Sequence, residues 1–188
     1  EVNMRLADVI VINKMDSASP EGIQIVRDNI RKTNPKAIVV DGASPIKVDD
    51  PSLIEGKRCL IVEDGPTLTH GEMKIGAGTI AARKFGASEE VDARPYLVGK
   101  LKETYEIYPN IGSILPAMGY GEQQLHDLEA TINKTDCDTV IIGTPIDLNR
   151  IIKIKKPNTR VYYDLAEIGL PDLKGVLENF VKKHNLKK

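Results

Sequence analysis

Cysteine is scarce in this chain, long apolar runs are missing, and neither sign of charge prevails. The 26 basic and 27 acidic residues leave a formal net charge of -1. That balance excludes a nucleic-acid or membrane surface built on bulk charge, while leaving room for a local basic pocket for phosphates. The two cysteines, Cys59 and Cys137, lie far apart without C-x-x-C spacing. Each adjoins an apolar run, Cys59-Leu60-Ile61-Val62 and Cys137-Asp138-Thr139-Val140-Ile141-Ile142, as reduced thiols in or near core strands do. A reducing cytoplasm is the expected compartment. No apolar stretch approaches membrane-spanning length and no signal peptide opens the chain, so no membrane partner is expected. The first residue is Glu1, only a few positions before a strand that reads as buried, which predicts a missing upstream region of the same protein.

What is present is ordinary for a soluble domain: 188 residues, 41% hydrophobic and 28% charged, enough to bury a core without staples. Short β-branched runs alternate with helical patterns, which predicts an α/β fold, a mostly parallel Rossmann-like sheet flanked by helices. Ala7-Asp8-Val9-Ile10-Val11-Ile12 reads as a strand buried on both faces. Ser19 caps a helix with Pro20 at its first position, Ile23, Val26 and Ile30 share one face, and Asn34-Pro35 stops it. Residues 37–40 form the next strand. Residues 46–56 read as a polar connection, and a second unit opens with the strand 58–62. A helix follows over about 78–85. Helical stripes then fall at Leu97, Leu101, Tyr105 and Tyr108 and at Leu125, Leu128 and Ile132. Strands are expected at 139–142 and 161–163, and a last helix carries Leu173, Val176, Leu177, Phe180 and Val181 on one face. The expected division is 1–45, a linker 46–56, and 57–188.

Each clear strand ends in small or polar residues: Asn13-Lys14-Met15-Asp16, Asp41-Gly42-Ala43-Ser44, Glu63-Asp64-Gly65 and Gly143-Thr144-Pro145. Ligands of open parallel sheets bind outside the carboxyl ends of the strands, although such residues also make plain turns there. Asn13-Lys14-Met15-Asp16 resembles the N-K-x-D motif of P-loop GTPases. A fixed carboxylate at Asp16 can accept two N–H bonds from guanine. Lys14 would lie along the base and Asn13 would tie the loop to its neighbours. Ala43-Ser44 resembles the short loop that completes such a base pocket. The same residues also fit a strand-to-helix turn in which Asp16 or Ser17 caps backbone. No G-x-x-x-x-G-K-[ST] occurs, so this polypeptide alone is expected to be inactive by the P-loop route.

The run Glu63 to Gly71, continuing to Gly76-Ala77-Gly78, offers glycines at a helix start, where backbone N–H groups approach an anion. Asp64, Gly65, Thr67, Thr69, Gly71, Gly76 and Gly78 are candidate substrate contacts, and His70 a candidate acid or base. Arg94 can clamp a carboxylate or phosphate, or simply form a surface ion pair. Gly121 and Glu122 open a helix, and Thr144 flanks the last clear loop. No metal ligands are assigned.

V-E-D-G-P-T-L-T-H-G, R-P-Y-x-V-G, L-P-A-M-G-Y-G-E-Q-Q and I-G-T-P-I-D-L together resemble a family of predicted GTPases often labelled cyclic 2,3-diphosphoglycerate synthase-like. Glu72 departs from the family's second glycine after Gly71. The resemblance implies that 1–45 is the last part of a P-loop NTPase domain ahead of the Rossmann-like unit. It also implies GTP (or ATP) and Mg²⁺ for the full-length protein, and nucleotide-driven cyclisation of a small phosphorylated acid. The expected partners are a guanine nucleotide and that phosphorylated substrate, with no nucleic acid and with room for a homo-oligomer. The alternative is a regulatory GTPase whose C-terminal unit is a non-catalytic metabolite- or protein-binding module.

Overall fold

In the run Arg58-Cys59-Leu60-Ile61-Val62 every side chain from Cys59 onward is apolar, as a strand covered on both faces requires. The computed structural model, which describes residues 2–65 and 76–186, places this run in β4 (Arg58–Asp64) at the centre of a sheet. The other strands of that sheet are β3 (Ile46–Val48), β5 (Glu89–Glu90), β6 (Leu115–Ala117), β7 (Thr139–Gly143) and β8 (Asn158–Tyr163). Their order is β3-β8-β7-β4-β5, with β6 also paired to β4. β5, β6 and β7 all run parallel to β4, and β8 runs parallel to β7. Their carboxyl ends therefore collect along one edge.

Alternation along β4 separates two cores. Cys59 and Ile61 join Ile141, Val161 and the Ala81–Ala82 side of α3 (Ala77–Lys84). Leu60 and Val62 join Val140, Ile142, and Leu101 and Tyr105 of α4 (Leu101–Ile107), with Leu128 and Ile132 of α5 (Glu122–Lys134). Helices thus cover both faces. Burying side chains such as Leu60, Ile141 and Ile142, all fully enclosed, stabilises by about 1.5–3 kcal/mol each. Both cysteines are free and buried, and burial pushes the Cys59 thiol up to about 11.

Residues Glu1–Pro45 and Tyr163–Lys188 form one unit, and Ile46–Tyr162 the other. The expected linear division gives way at two points. The 46–56 connection contains β3 and a 3-10 turn capped by Asp50, and the C-terminal residues join the first unit. The first unit holds β1 (Val9–Ile12), parallel to β2 (Ile38–Ala43), which pairs in turn with the antiparallel β9 (Ala166–Glu167). Its helices are a short α1 (Val2–Leu6), α2 (Pro20–Thr33) and α6 (Leu173–Lys183). The Ser19 hydroxyl accepts the Gly22 N–H at 3.1 Å, so α2 starts where the capping pattern predicts.

Two features of the first unit depart from expectation. Only Ile12 of β1 is buried and Val11 is 37% exposed; among the described residues β1 is the end strand of its sheet, paired with β2 alone. The apolar stripe of α6 is also uncovered, with Leu177 at 60% and Phe180 at 48%. The three-stranded sheet closed by an antiparallel strand does not support the expected last part of a P-loop NTPase domain. Among the described residues no helix is long and apolar enough to cross a membrane.

Candidate functional site

Where the second sheet's strands end, a carboxyl group stands inside a ring of glycines. Glu63 is the penultimate residue of β4 and is 3% exposed. Its Oε1 accepts the Thr79 N–H at 2.9 Å and the Thr79 hydroxyl at 3.3 Å. A Cβ on Gly76 would overlap the carboxyl group, one on Gly78 would come within 3.1 Å of Oε1, and one on Gly143 within 2.6 Å of Oε2. Glycine at these positions lets α3 and β7 approach a buried carboxyl directly. Burial is the main cause that pushes the Glu63 carboxyl up to about 7. The Thr79 and Gly78 hydrogen bonds act in the opposite direction, and the Asp64 charge adds to the rise.

This arrangement changes the role of the glycine run at Gly76 and Gly78. A helix N-terminus attracts an anion through its unpaired N–H groups and dipole. Here the protein's own carboxyl group takes that place, so a phosphate would meet a group of its own sign. Sequence reading passed over Glu63 because a glutamate at a strand's end looks like a solvated turn residue. The signal that can find it is the glycine spacing: Gly65, Gly76, Gly78 and Gly143 are small because something fixed stands beside each.

The remaining candidates divide by place. Asp64 ends β4, and Gly65 lies against β6, where a Cβ would come within 2.7 Å of the Ala117 carbonyl. Thr144 is buried beyond β7 and donates its hydroxyl to the Ile146 carbonyl at 2.6 Å. Gly121 caps α5, its N–H donating to Gln124 Oε1 at 3.2 Å, and Glu122 is exposed in the first turn. Arg94 is engaged by Asp92, with Nη2 to Oδ2 at 2.6 Å and Nε to both carboxylate oxygens at 2.9 Å. That pairing holds the Asp92 carboxyl below its usual range. Its guanidinium serves this surface pair. Thr67, Thr69, His70 and Gly71 lie outside the described residues.

On the first unit, the structure does bring the N-K-x-D and A-S residues together. Ser44 donates its hydroxyl to Asn13 Oδ1 and its N–H to Asp16 Oδ1, both at 2.9 Å. The Lys14 N–H also donates to Asn13 Oδ1, at 2.8 Å, and the Met15 N–H to the Gly42 carbonyl, at 3.0 Å. Lys14 is exposed, with a left-handed φ of 61° that is uncommon for a residue other than glycine. Ala43 closes β2 opposite Ala166. One Asp16 oxygen thus accepts from its own chain, taking one of the roughly four acceptor sites that a carboxylate offers. These contacts make a turn that locks two strand ends.

The chain is similar to a protein named arginine synthetase ArcE, from Thermococcus kodakarensis. The two are 59% identical over 182 residues, which is 97% of this chain and 41% of the relative. The chain therefore spans about two-fifths of the length of the curated relative it matches. No protein-family profile matches the chain. A relative with that name at that identity overturns the expected membership among cyclic 2,3-diphosphoglycerate synthase-like GTPases. With it go GTPase activity, GTP binding, cyclisation of a phosphorylated acid and the regulatory-GTPase alternative.

Beside the Glu63 edge, α5 fixes the turn that precedes α4. Asp127 is buried, and its Oδ2 accepts the Lys100 N–H at 3.0 Å while its Oδ1 accepts from Gln123 Nε2 at 2.9 Å. Gly99, at φ 56°, has no room for a Cβ next to that carboxylate. The Lys100 amide is the first cause holding the Asp127 carboxyl below its usual range. A depressed folded-state pKa gives stability that is present above the unfolded value and lost as pH falls through the folded one. Asp127→Ala is therefore expected to cost about 2 kcal/mol at neutral pH, and less in acid. Urea unfolding at pH 7 and pH 3 checks this, and an equal loss at both would contradict the charge's role.

Proposed function

We propose that this chain is part of an arginine-forming enzyme and that the carboxyl edge of its second sheet belongs to the reaction site. What supports the reading is the 59% identity with a protein named arginine synthetase, spread over nearly all of the chain. A carboxyl group raised to about 7 exists in both protonation states near neutral pH, which suits it to accept or return a proton during bond formation.

A synthetase joins two molecules at the expense of an energy donor. For the whole protein we propose a nucleoside triphosphate with Mg²⁺. The described residues do not fit that group at this edge, because Glu63 takes the start of α3 where a phosphate would sit. Among them, too, no three His, Cys, Asp or Glu residues converge on a common point. This chain's described part accordingly carries the amino-acid side of the reaction in our reading.

The test is genetic and chemical together. Expressed in a host that lacks its last arginine-forming step, the gene encoding these residues is expected to restore growth without added arginine. The purified product, given ATP or GTP with Mg²⁺ and an arginine precursor, is expected to release arginine detectable by amino-acid analysis. Failure of both measurements sinks the reading.

A further inference from the structure

Next to the Glu63 edge, on the face of the sheet opposite α3, lies a cleft of ≈ 220 Å³ between α4 and α5. It is smaller than the roughly 300–1,000 Å³ of pockets for drug-sized ligands, a size suited to a free amino acid. Helical spacing explains its walls. Residues three or four positions apart share a helix face, so Lys100, Glu103 and Ile107 line one side and Gln124 and Leu128 the other. Met118, just past β6, adds a flexible apolar surface between them.

The chemistry of the walls is specific. Asp127 also lines the cleft, but it is buried, and its oxygens accept from the Lys100 N–H and Gln123 Nε2. Lys100 and Glu103 are thus the opposite charges that the cleft presents to solvent. Although they stand at i,i+3, among the described residues neither is engaged in an ion pair with the other or with a third residue. Ile107, Met118 and Leu128 supply the apolar lining. A ligand that satisfies all of this carries a carboxylate and an ammonium close together and an unbranched aliphatic stem behind them.

We propose that this cleft holds an α-amino acid with a linear aliphatic side chain, its carboxylate at Lys100 and its ammonium at Glu103. The identity of that amino acid as arginine, or a precursor sharing its stem, rests on the arginine-forming reading. The buried Asp127 sets the cleft's shape, because it anchors the Lys100 backbone from below. Gln124 stays at the rim, held by the Gly121 N–H.

Calorimetric titration of the chain tests the proposal with three probes: L-arginine, agmatine, which lacks the carboxylate, and Nα-acetyl-L-arginine, which lacks the ammonium charge. Saturable binding of L-arginine is expected, with each analogue roughly two- to fivefold weaker, as for a single exposed charge contact. Lys100→Met is expected to erase the difference between arginine and agmatine only. Glu103→Gln should erase that between arginine and the acetylated form only. Both variants alter exposed side chains, and circular dichroism verifies that they fold. Discrimination that survives both substitutions, or no binding of any linear amino acid, overturns the cleft assignment while leaving the arginine-forming reading to its own assay. Binding of L-lysine with the same dependence on Lys100 and Glu103, and none of L-arginine, keeps the cleft as an amino-acid site and removes the arginine reading.

Discussion

Glu63→Gln is expected to stabilise the chain above neutral pH and to change it little in acid. The folded-state pKa of Glu63, about 7, stands above the ordinary 4.5. Between those values the folded chain binds more protons than the unfolded one, so stability falls as pH rises through this window and levels off above it. The shift corresponds to about 3 kcal/mol of penalty on the ionised form. Glutamine carries no charge to bury, and its oxygen still accepts the Thr79 N–H that Oε1 accepts now at 2.9 Å. Urea denaturation of both proteins between pH 4 and pH 8 should therefore give curves that meet near pH 4 and part toward pH 8. The opposite result is equally informative. If the variant is weaker at pH 8, the carboxylate's attraction to the helix start exceeds its desolvation cost, and Glu63 acts there as a permanent anion.

Gly143→Ala is expected to destabilise by about 3 kcal/mol, the upper end of what forced overpacking does in a core. The new methyl carbon would stand 2.6 Å from Glu63 Oε2 and 2.8 Å from the Gly78 backbone nitrogen. A side chain can rotate away; the first turn of a packed helix cannot. Strand β7 is equally constrained, being hydrogen-bonded to β4 and β8 on its two sides. Either α3 lifts off the sheet or β7 bends, and both disturb the core around Ile61 and Ile141. Adding Glu63→Ala should recover only part of the loss, since it removes the first clash and leaves the second. Thermal and urea unfolding of the two variants measures that coupling. Full recovery would mean that the helix backbone is not the barrier.

Much of the architecture was legible because its signals are local. Ser19-Pro20 marked the start of α2, Asn34-Pro35 its end, and the apolar runs in β4 and β7 announced strands, whereas the run in β1 that read as buried on both faces is partly exposed. Other elements carried no local sign. Strand β6 is only Leu115-Pro116-Ala117, and a proline argues against a strand unless the missing N–H falls where no ladder bond is needed. The three-residue β3 and the two-residue β5 and β9 are too short to show a period. They are strands only because a neighbour pairs with them.

The candidate site divides in the same way. The polar ends of β1, β2, β4 and β7 were visible as clusters, and the meeting of Asn13 and Asp16 with Ser44 followed the order of elements. What that meeting does chemically was misread, because a motif names residue types only, and the relative at 59% identity carries an arginine synthetase's name. Arg94 read equally as a clamp and as a surface ion pair, and its fork closes on Asp92, two residues away.

Composition and spacing by themselves determined an α/β chain whose clear strands end in small and polar residues, since apolar period and capping act within a few residues. Only the tertiary structure decided that a glutamate occupies the start of α3, that the chain's last residues join its first unit, and that two charges share one cleft. Those outcomes depend on groups far apart in the chain, Glu63 with Gly143 and Lys100 with Asp127. Burial and electrostatics there are set by which surfaces meet, and no local pattern encodes that.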